Sequence, residues 1–288
     1  MYTAEYVANC CTSALLLELA TTPKPGLVDR SSDPQIYAEF VLSAISLHQQ
    51  FLKASSHPVG KLALKACSDM LRWQRGGNTH LGSLLLLLPL SKAACHTGKF
   101  NQLRRNLRNM LRRMDHRDLA NILNSIKIVN PGALGRVAYL DAHSTRTSEV
   151  IRLRRIPVVE GLKPYVKREV VAHEYVTGYD ASFVHGYSFM KQRLELEDWN
   201  SAGINTFLNI LKHLPDSHIS RRRGYQTSVM FSKLAGRILD AGGFSTHEGR
   251  QRFRRFCELV RRTGVKPAAT ADLLAVSYCL VLLEGWRP

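Results

Sequence analysis

Residues 80–94 read HLGSLLLLLPLSKAA, and what this stretch forms decides the fold. Its apolar block is bounded by His80 and Lys92 and interrupted by Pro89. A helix that spans a bilayer takes about 20 apolar residues, and this block is too short. It reads as a buried core helix, running from about Thr79 to His96. Helical spacing continues on both sides. Residues 3–20 place Tyr6, Val7, Cys10, Ala14 and Leu17 at helix-like intervals. Asp33 and Pro34 open a second helix, to about Ala54, with proline in its first turn. A third is expected from Val59 to Arg75. Two arginine-rich helices follow near 101–113 and 116–128. Residues 129–164 are less regular, with PGALG as a turn and IRLRRIPVV as a short strand or extended loop. A long helix is expected over Lys163–Arg193, and others near 199–212, 222–240, 246–262 and 270–284. The fold class is all-α: one compact multi-helix domain over 1–288 with an irregular middle segment.

The chain has 288 residues, 45% of them apolar, and a formal charge of +17. That length and apolar content support a packed core. The charge favours an anionic partner. Arginine carries most of it, and the planar guanidinium suits phosphate. The runs RRNLRNMLRR (104–113) and RQRFRRF (250–256) read as solvated faces. Only Phe253 and Phe256 accompany these arginines, so stacking for nucleic acid is thin, and no zinc finger, RRM or KH signature is present. Nucleic acid is therefore not the expected partner. The six cysteines form no CxxC pair, which fits a reduced, cytoplasmic protein. The start MYTAEYVANCC lacks a basic segment and is a poor signal peptide, so no membrane is expected.

Four stretches look like site material. TPKPGLVDR (22–30) presents Lys24, Asp29 and Arg30 from a loop stiffened by Pro23 and Pro25. GGNTHLG (76–82) puts Gly77, Asn78, Thr79 and His80 at a helix start. Asn78 or Thr79 would cap it, and the exposed N–H groups would hold an anion. KREVVAHEYVTGY (167–179) places Arg168, Glu169, Ala172, His173 and Val176 near one helical face, where Glu169 and His173 are spaced to pair. PDSHISRRRGYQ (215–226) sets Asp216 before three arginines; arginines at a helix start suit a triphosphate, and Asp216 suits Mg²⁺. Each has a bland alternative: a connection, a cap, an ion-pair face.

Taken in order, KPGLVDR, GGNTHLG, PGALG, EYVTGY, PDSHISRRRG and TADLLA resemble the triphosphoribosyl-dephospho-coenzyme A synthase family over nearly the whole chain. KPGLV, GGNTHLG and PGALG look closest to its archaeal and methylotroph branch. The resemblance implies an all-helical transferase. It would move the triphosphoribosyl group of ATP onto the 2′-hydroxyl of dephospho-coenzyme A, releasing adenine. Its partners would be ATP, with Mg²⁺, and a phosphorylated small-molecule acceptor. Such a reaction passes through an oxocarbenium-like state and needs a base, an acid and cations for the triphosphate. By resemblance, Lys24, Arg30, Arg168, Arg221 and Arg222 grip phosphates, with Gly77, Asn78, Thr79 and His80 as a further anion cradle. Asp29, Glu169 and Asp216 share the catalytic work, with Asp29 and Asp216 as Mg²⁺ ligands. Two departures bear on the acceptor: SSDPQIYAEF replaces the GxHxDM of the citrate-lyase branch, and KPA, with Ala268, replaces NPG or SPGG.

Overall fold

The computed structural model describes residues 1–132 and 134–288; Ala133, inside the PGALG turn, lies outside the described residues. Among the described residues the chain is helical throughout and has no strand, as its periodicity predicts. No helix there is long and apolar enough to cross a membrane. The chain divides into two compact units. One comprises Met1–Ser13 and Ala38–Tyr179, the other Ala14–Tyr37 and Asp180–Pro288. The helices α1 (Ala4–Ala20) and α2 (Pro34–Leu52) each contribute residues to both.

The first unit adds α3 (Val59–Trp73), α4 (Leu81–Cys95), α5 (Leu103–Arg113), α6 (His116–Val129), α7 (Thr147–Arg154), α8 (Val158–Leu162) and α9 (Val170–Thr177). The leucine stretch is its core: every residue of α4 is buried except Gly82 and Lys92. An all-apolar helix is stable in water only when other helices cover it on all sides. The helix runs through Pro89 without stopping. Proline has no N–H to give to the carbonyl four residues back. That carbonyl, on Leu85, accepts instead from the Tyr175 hydroxyl at 2.7 Å, and the next, on Leu86, accepts from Tyr179 at 2.6 Å. Lys92 snorkels to the carbonyls of Ala54, Ser55 and His57, at 3.1, 3.4 and 2.9 Å.

The arginine run on α5 divides in two. Leu103, Leu107 and Leu111 face the core at helical spacing. Arg104 and Arg108 donate to the carbonyls of Gly178 and Thr177, both at 3.3 Å, at the end of α9. Cations there oppose the helix dipole. Arg105, Arg112 and Arg113 are exposed, as a solvated face requires.

Two expectations are corrected. IRLRRIPVV is neither strand nor extended loop: α7 ends at Arg154, Arg155 turns with φ +49°, and Pro157 leads into α8. Nor is there one long helix over 163–193. A 3₁₀ turn at Lys163–Tyr165 precedes α9, which stops at Gly178 with φ +72°. Glycine reaches that left-handed value without strain, and a Cβ there would lie 2.7 Å from Arg108 Nε. A π-helical turn, Ser182–Tyr187, then leads into α10 (Ser188–Leu194).

The second unit continues with α11 (Trp199–His213), α12 (Ser217–Arg223), α13 (Tyr225–Asp240), α14 (His247–Thr263) and α15 (Ala268–Glu284). Its core is α15, buried without interruption from Leu273 to Leu283. Tyr278 sits fully buried with its hydroxyl 2.9 Å from Thr21 Oγ1 and 3.1 Å from the Trp199 carbonyl.

Candidate functional site

The sequence motifs divide between the two units. In the second unit the TPKPGLVDR loop is clamped by Asn200 at the start of α11. Asn200 accepts from the Thr22 N–H and donates to the Thr22 carbonyl, both at 2.8 Å. Gly26 has φ +69°, and a Cβ there would lie 2.4 Å from the Val265 carbonyl, so the loop rests on the α14–α15 connection. Lys24 is buried, and its ammonium pairs with the Glu18 carboxylate and donates to the Glu18 carbonyl at 2.9 Å. Burial pushes the Glu18 carboxyl up, and the Lys24 charge opposes the rise. Asp29 is buried too. Its Oδ2 accepts from the Lys24 N–H at 2.7 Å, and its Oδ1 from the Ser31 N–H and hydroxyl at 2.8 and 2.6 Å. Arg30 is exposed, with its guanidinium 6.0 Å from the centre of the Trp199 ring.

Asp216 caps two helices at once. Its Oδ1 accepts from the Ile219 N–H of α12 at 3.0 Å, and its Oδ2 accepts from the N–H and hydroxyl of Thr270 in the first turn of α15, both at 2.8 Å. Burial raises its carboxyl, against those hydrogen bonds. Arg221, Arg222 and Arg223 stand at the C-terminus of α12, not at a helix start as expected. Asp216 opens the helix early, and Gly224, with φ +90°, closes it before α13 begins. His218, beside Asp216, places Nδ1 2.8 Å from the Lys266 carbonyl. A carbonyl only accepts, so Nδ1 carries the hydrogen and Nε2 a lone pair. Burial lowers the pKa of this ring, and the Lys266 carbonyl and the Asp216 charge oppose the fall.

Two motifs thus converge on residues 265–270, where TADLLA begins: KPGLVDR through Gly26 and Val265, and PDSHISRRRG through His218 to Lys266 and Asp216 to Thr270. The arrangement does not fit Mg²⁺ on Asp29 or Asp216. Asp216 is 1% exposed and Asp29 4%, and every carboxylate oxygen of both already accepts a hydrogen bond. Among the described residues no three His, Cys, Asp or Glu side chains gather as a metal site.

In the first unit the GGNTHLG turn is tied to α2. Thr79 donates to Ser43 Oγ at 2.6 Å, and buried His80 sets Nε2 3.1 Å from the Phe40 carbonyl, its ring edge-on to Phe40. His80, rather than Asn78 or Thr79, occupies the cap position of α4, though Asn78 Oδ1 still accepts from the Leu81 N–H at 3.2 Å. Gly77 has φ +76° and open space where a side chain would stand. Elsewhere in this unit Arg168 donates to the Leu134 carbonyl at 2.8 Å, which joins it to the PGALG turn, and pairs with Glu169 at 3.3 Å. Glu169 precedes α9 with extended backbone, so it does not share a helical face with His173. The His173 ring instead meets Glu174 at 3.1 Å.

Sequence reasoning missed Glu18, Asn200 and His218. Glu18 lies inside a helix that the spacing marks as core, and its charge was the one available signal. His218 stood in a quoted motif, overshadowed by the arginines.

A family model described as ATP:dephospho-CoA triphosphoribosyl transferase (CitG) matches residues 4–288. A Stutzerimonas stutzeri protein described as "Probable 2-(5''-triphosphoribosyl)-3'-dephosphocoenzyme-A synthase" is 26% identical, covering 96% of this chain and 91% of its own. A Pseudomonas aeruginosa protein of the same description is 28% identical, covering 96% and 90%. A crystal structure from Archaeoglobus fulgidus, described as a candidate triphosphoribosyl-dephospho-coA synthase, superimposes with a TM-score of 0.68 at 26% identity. It covers 85% of this chain and 99% of that one.

Proposed function

Because the chain belongs to the ATP:dephospho-CoA triphosphoribosyl transferase family, we propose that it transfers the triphosphoribosyl group of ATP to a hydroxyl of dephospho-CoA, releasing adenine. The observation that carries this reading is the convergence of two distant motifs, KPGLVDR and PDSHISRRRG, on residues 265–270, where TADLLA begins. In the reaction the acceptor oxygen bonds to C1′ of the ribose as the C1′–N9 bond breaks. Adenine leaves with the bonding pair and takes a proton. His218 Nε2 receives the acceptor's proton and, as imidazolium, returns it to the departing adenine; the Nδ1–Lys266 hydrogen bond, which leaves Nε2 the lone pair, supports this role. Arg30 and Arg222, both exposed, are the cations for the triphosphate. Lys24, Asp29 and Asp216 act one step back. The Lys24–Glu18 pair, the loop-bonded Asp29 carboxylate and the capping Asp216 carboxylate hold the loops from which the others project. Mg²⁺ enters with ATP, carried chiefly by its phosphates and water.

The assignment to the archaeal and methylotroph branch is part of the same proposal. It rests on KPGLV, GGNTHLG and PGALG, and on SSDPQIYAEF where GxHxDM stands in the citrate-lyase branch. It points to a ribosyl acceptor of one-carbon metabolism as the second acceptor to try. Incubation with Mg²⁺-ATP and each acceptor, followed by chromatography for free adenine, tests the reading. Adenine with dephospho-CoA supports it, and none with any acceptor overturns it.

A further inference from the structure

The last turn of α14, within the second unit, gathers positive charge that neither the fold nor the triphosphate uses. Val260 packs on the KPGLVDR loop: a Cβ on Gly26 would stand 2.5 Å from Val260 Cγ1. Arg261 and Arg262 follow it directly. On the other flank Arg223, at the end of α12, donates to the Thr263 carbonyl at 3.1 Å. Lys266 comes next, and its carbonyl is the one that holds His218 Nδ1 at 2.8 Å. These cations therefore border the ring that takes the acceptor's proton.

Arg223, Arg261, Arg262 and Lys266 are all exposed, and none pairs with a carboxylate among the described residues. Acids are sparse in the sequence here: none stands between Asp216 and Asp240, nor between Glu258 and Asp272. Glu258 lies one turn before Arg261 and Arg262 on the same helix, yet it forms no ion pair with either. The helix dipole does not absorb the surplus. It offers about half a negative charge at a C-terminus, and Arg223 already holds the carbonyl of the last helical residue, Thr263. Like charges crowded on one turn repel one another until an anion joins them.

ATP does not need this group. It arrives with Mg²⁺, which offsets much of its charge, and Arg30 and Arg222 answer the rest. The acceptor brings no metal. Dephospho-CoA carries a diphosphate on the same ribose whose 2′-hydroxyl reacts, so a hydroxyl at His218 Nε2 brings a diphosphate to the surface around it. We propose that Arg261 and Arg262, with Lys266, bind the acceptor's diphosphate and so select acceptors that carry one. The guanidinium fork suits phosphate oxygens. This rests on the transferase reading, which makes dephospho-CoA the acceptor.

The test measures adenine release by the whole chain at saturating Mg²⁺-ATP while dephospho-CoA is varied, and then the reverse. In Arg261→Ala and Arg262→Ala the expected KM for dephospho-CoA rises about tenfold each, as fits a lost charge-assisted hydrogen bond. The KM for ATP and kcat stay within about twofold, because the contact is made equally in ground and transition states. The control is Arg254→Ala/Arg255→Ala, which removes two exposed arginines from α14 about two turns earlier and leaves both KM values unchanged. An unchanged KM for dephospho-CoA in Arg261→Ala/Arg262→Ala overturns the proposal. An equal rise in the KM for ATP does so too, since it gives these arginines to the triphosphate. So does an equal rise in the control, since it reduces the effect to general attraction, and so does adenine release only with an acceptor that lacks a diphosphate. In each of these the chain still releases adenine, and ribosyl transfer from ATP stands. No adenine from the wild-type chain with any acceptor removes the reading and the site together.

Discussion

The Tyr175 hydroxyl donates to the Leu85 carbonyl at 2.7 Å, the carbonyl that Pro89 leaves without a backbone partner in the core helix. One side chain on α9 thus repairs a break that the sequence itself places in α4. Tyr175→Phe should lower the unfolding free energy by about 1–3 kcal/mol, the cost of a stranded buried carbonyl. Pro89→Ala restores the N–H, so the loss from Tyr175→Phe should shrink in that background. A double-mutant cycle by urea denaturation measures the coupling. Equal losses in both backgrounds would show that the hydroxyl does not stand in for the missing N–H.

Removing Lys24 should expose the cost of Glu18. Breaking one partner from a buried pair costs about 3–5 kcal/mol, whereas replacing both with apolar groups is often near neutral. Lys24→Met should therefore be severe, and Glu18→Leu/Lys24→Met mild, in thermal melts. A pH dependence follows. Without Lys24 the buried Glu18 carboxyl rises further above its unfolded value of 4.5. A raised folded value means stability is full below about 4.5 and declines as pH climbs towards the folded value. The Lys24→Met loss should be smaller at pH 5 than at pH 8.

Asp216 should behave as one group serving two helices. Each cap is worth about 1 kcal/mol, so Asp216→Ala should cost about 2 kcal/mol or more. Hydrogen exchange is the discriminating measurement. Amides at the starts of α12 and α15 should both lose protection, although Ile219 and Thr270 are far apart in the chain. Faster exchange at only one helix start would refute the double role.

Glu197 supplies the opposite pH signature. Burial alone would raise its carboxyl, but hydrogen bonds from Arg193, Asn205 and Ser245 hold it below the usual 4.5. Arg193 donates through two nitrogens at 2.6 and 2.7 Å. A depressed folded value gives stability that is present above about pH 4.5 and lost as pH falls through the folded value. Glu197→Gln should therefore flatten the acid limb of stability against pH, by about 1.4 kcal/mol for each unit of depression. An unchanged acid limb in Glu197→Gln would contradict this.

Much of this was legible in the chain. Apolar spacing marks α1 to α6, α11, α14 and α15 within a few residues, because each buries apolar residues at helical intervals, on one face in α5 and α14 and all round in α4 and α15. The breaks at Arg155 and Gly178 were not, since the first depends on a non-glycine residue in a left-handed turn and the second on Arg108 filling the space beside a glycine. The site was legible as loops and motif order, because glycine, proline and clustered charge mark places where the backbone turns for a purpose. Individual roles were not. Lys24 and Asp216 carry the charges that a phosphate or a metal wants, yet partners brought by folding have already claimed them.

The division into two units has a consequence for dissecting the molecule. The chain passes from one unit to the other between Ser13 and Ala14, Tyr37 and Ala38, and Tyr179 and Asp180. The first two of these passages fall inside helices. No single truncation therefore yields either unit whole, and a gene split after Tyr179 leaves one half carrying the KPGLVDR loop without its Asn200 clamp. Complementation between separately expressed halves, rather than deletion of one, is the way to take this chain apart.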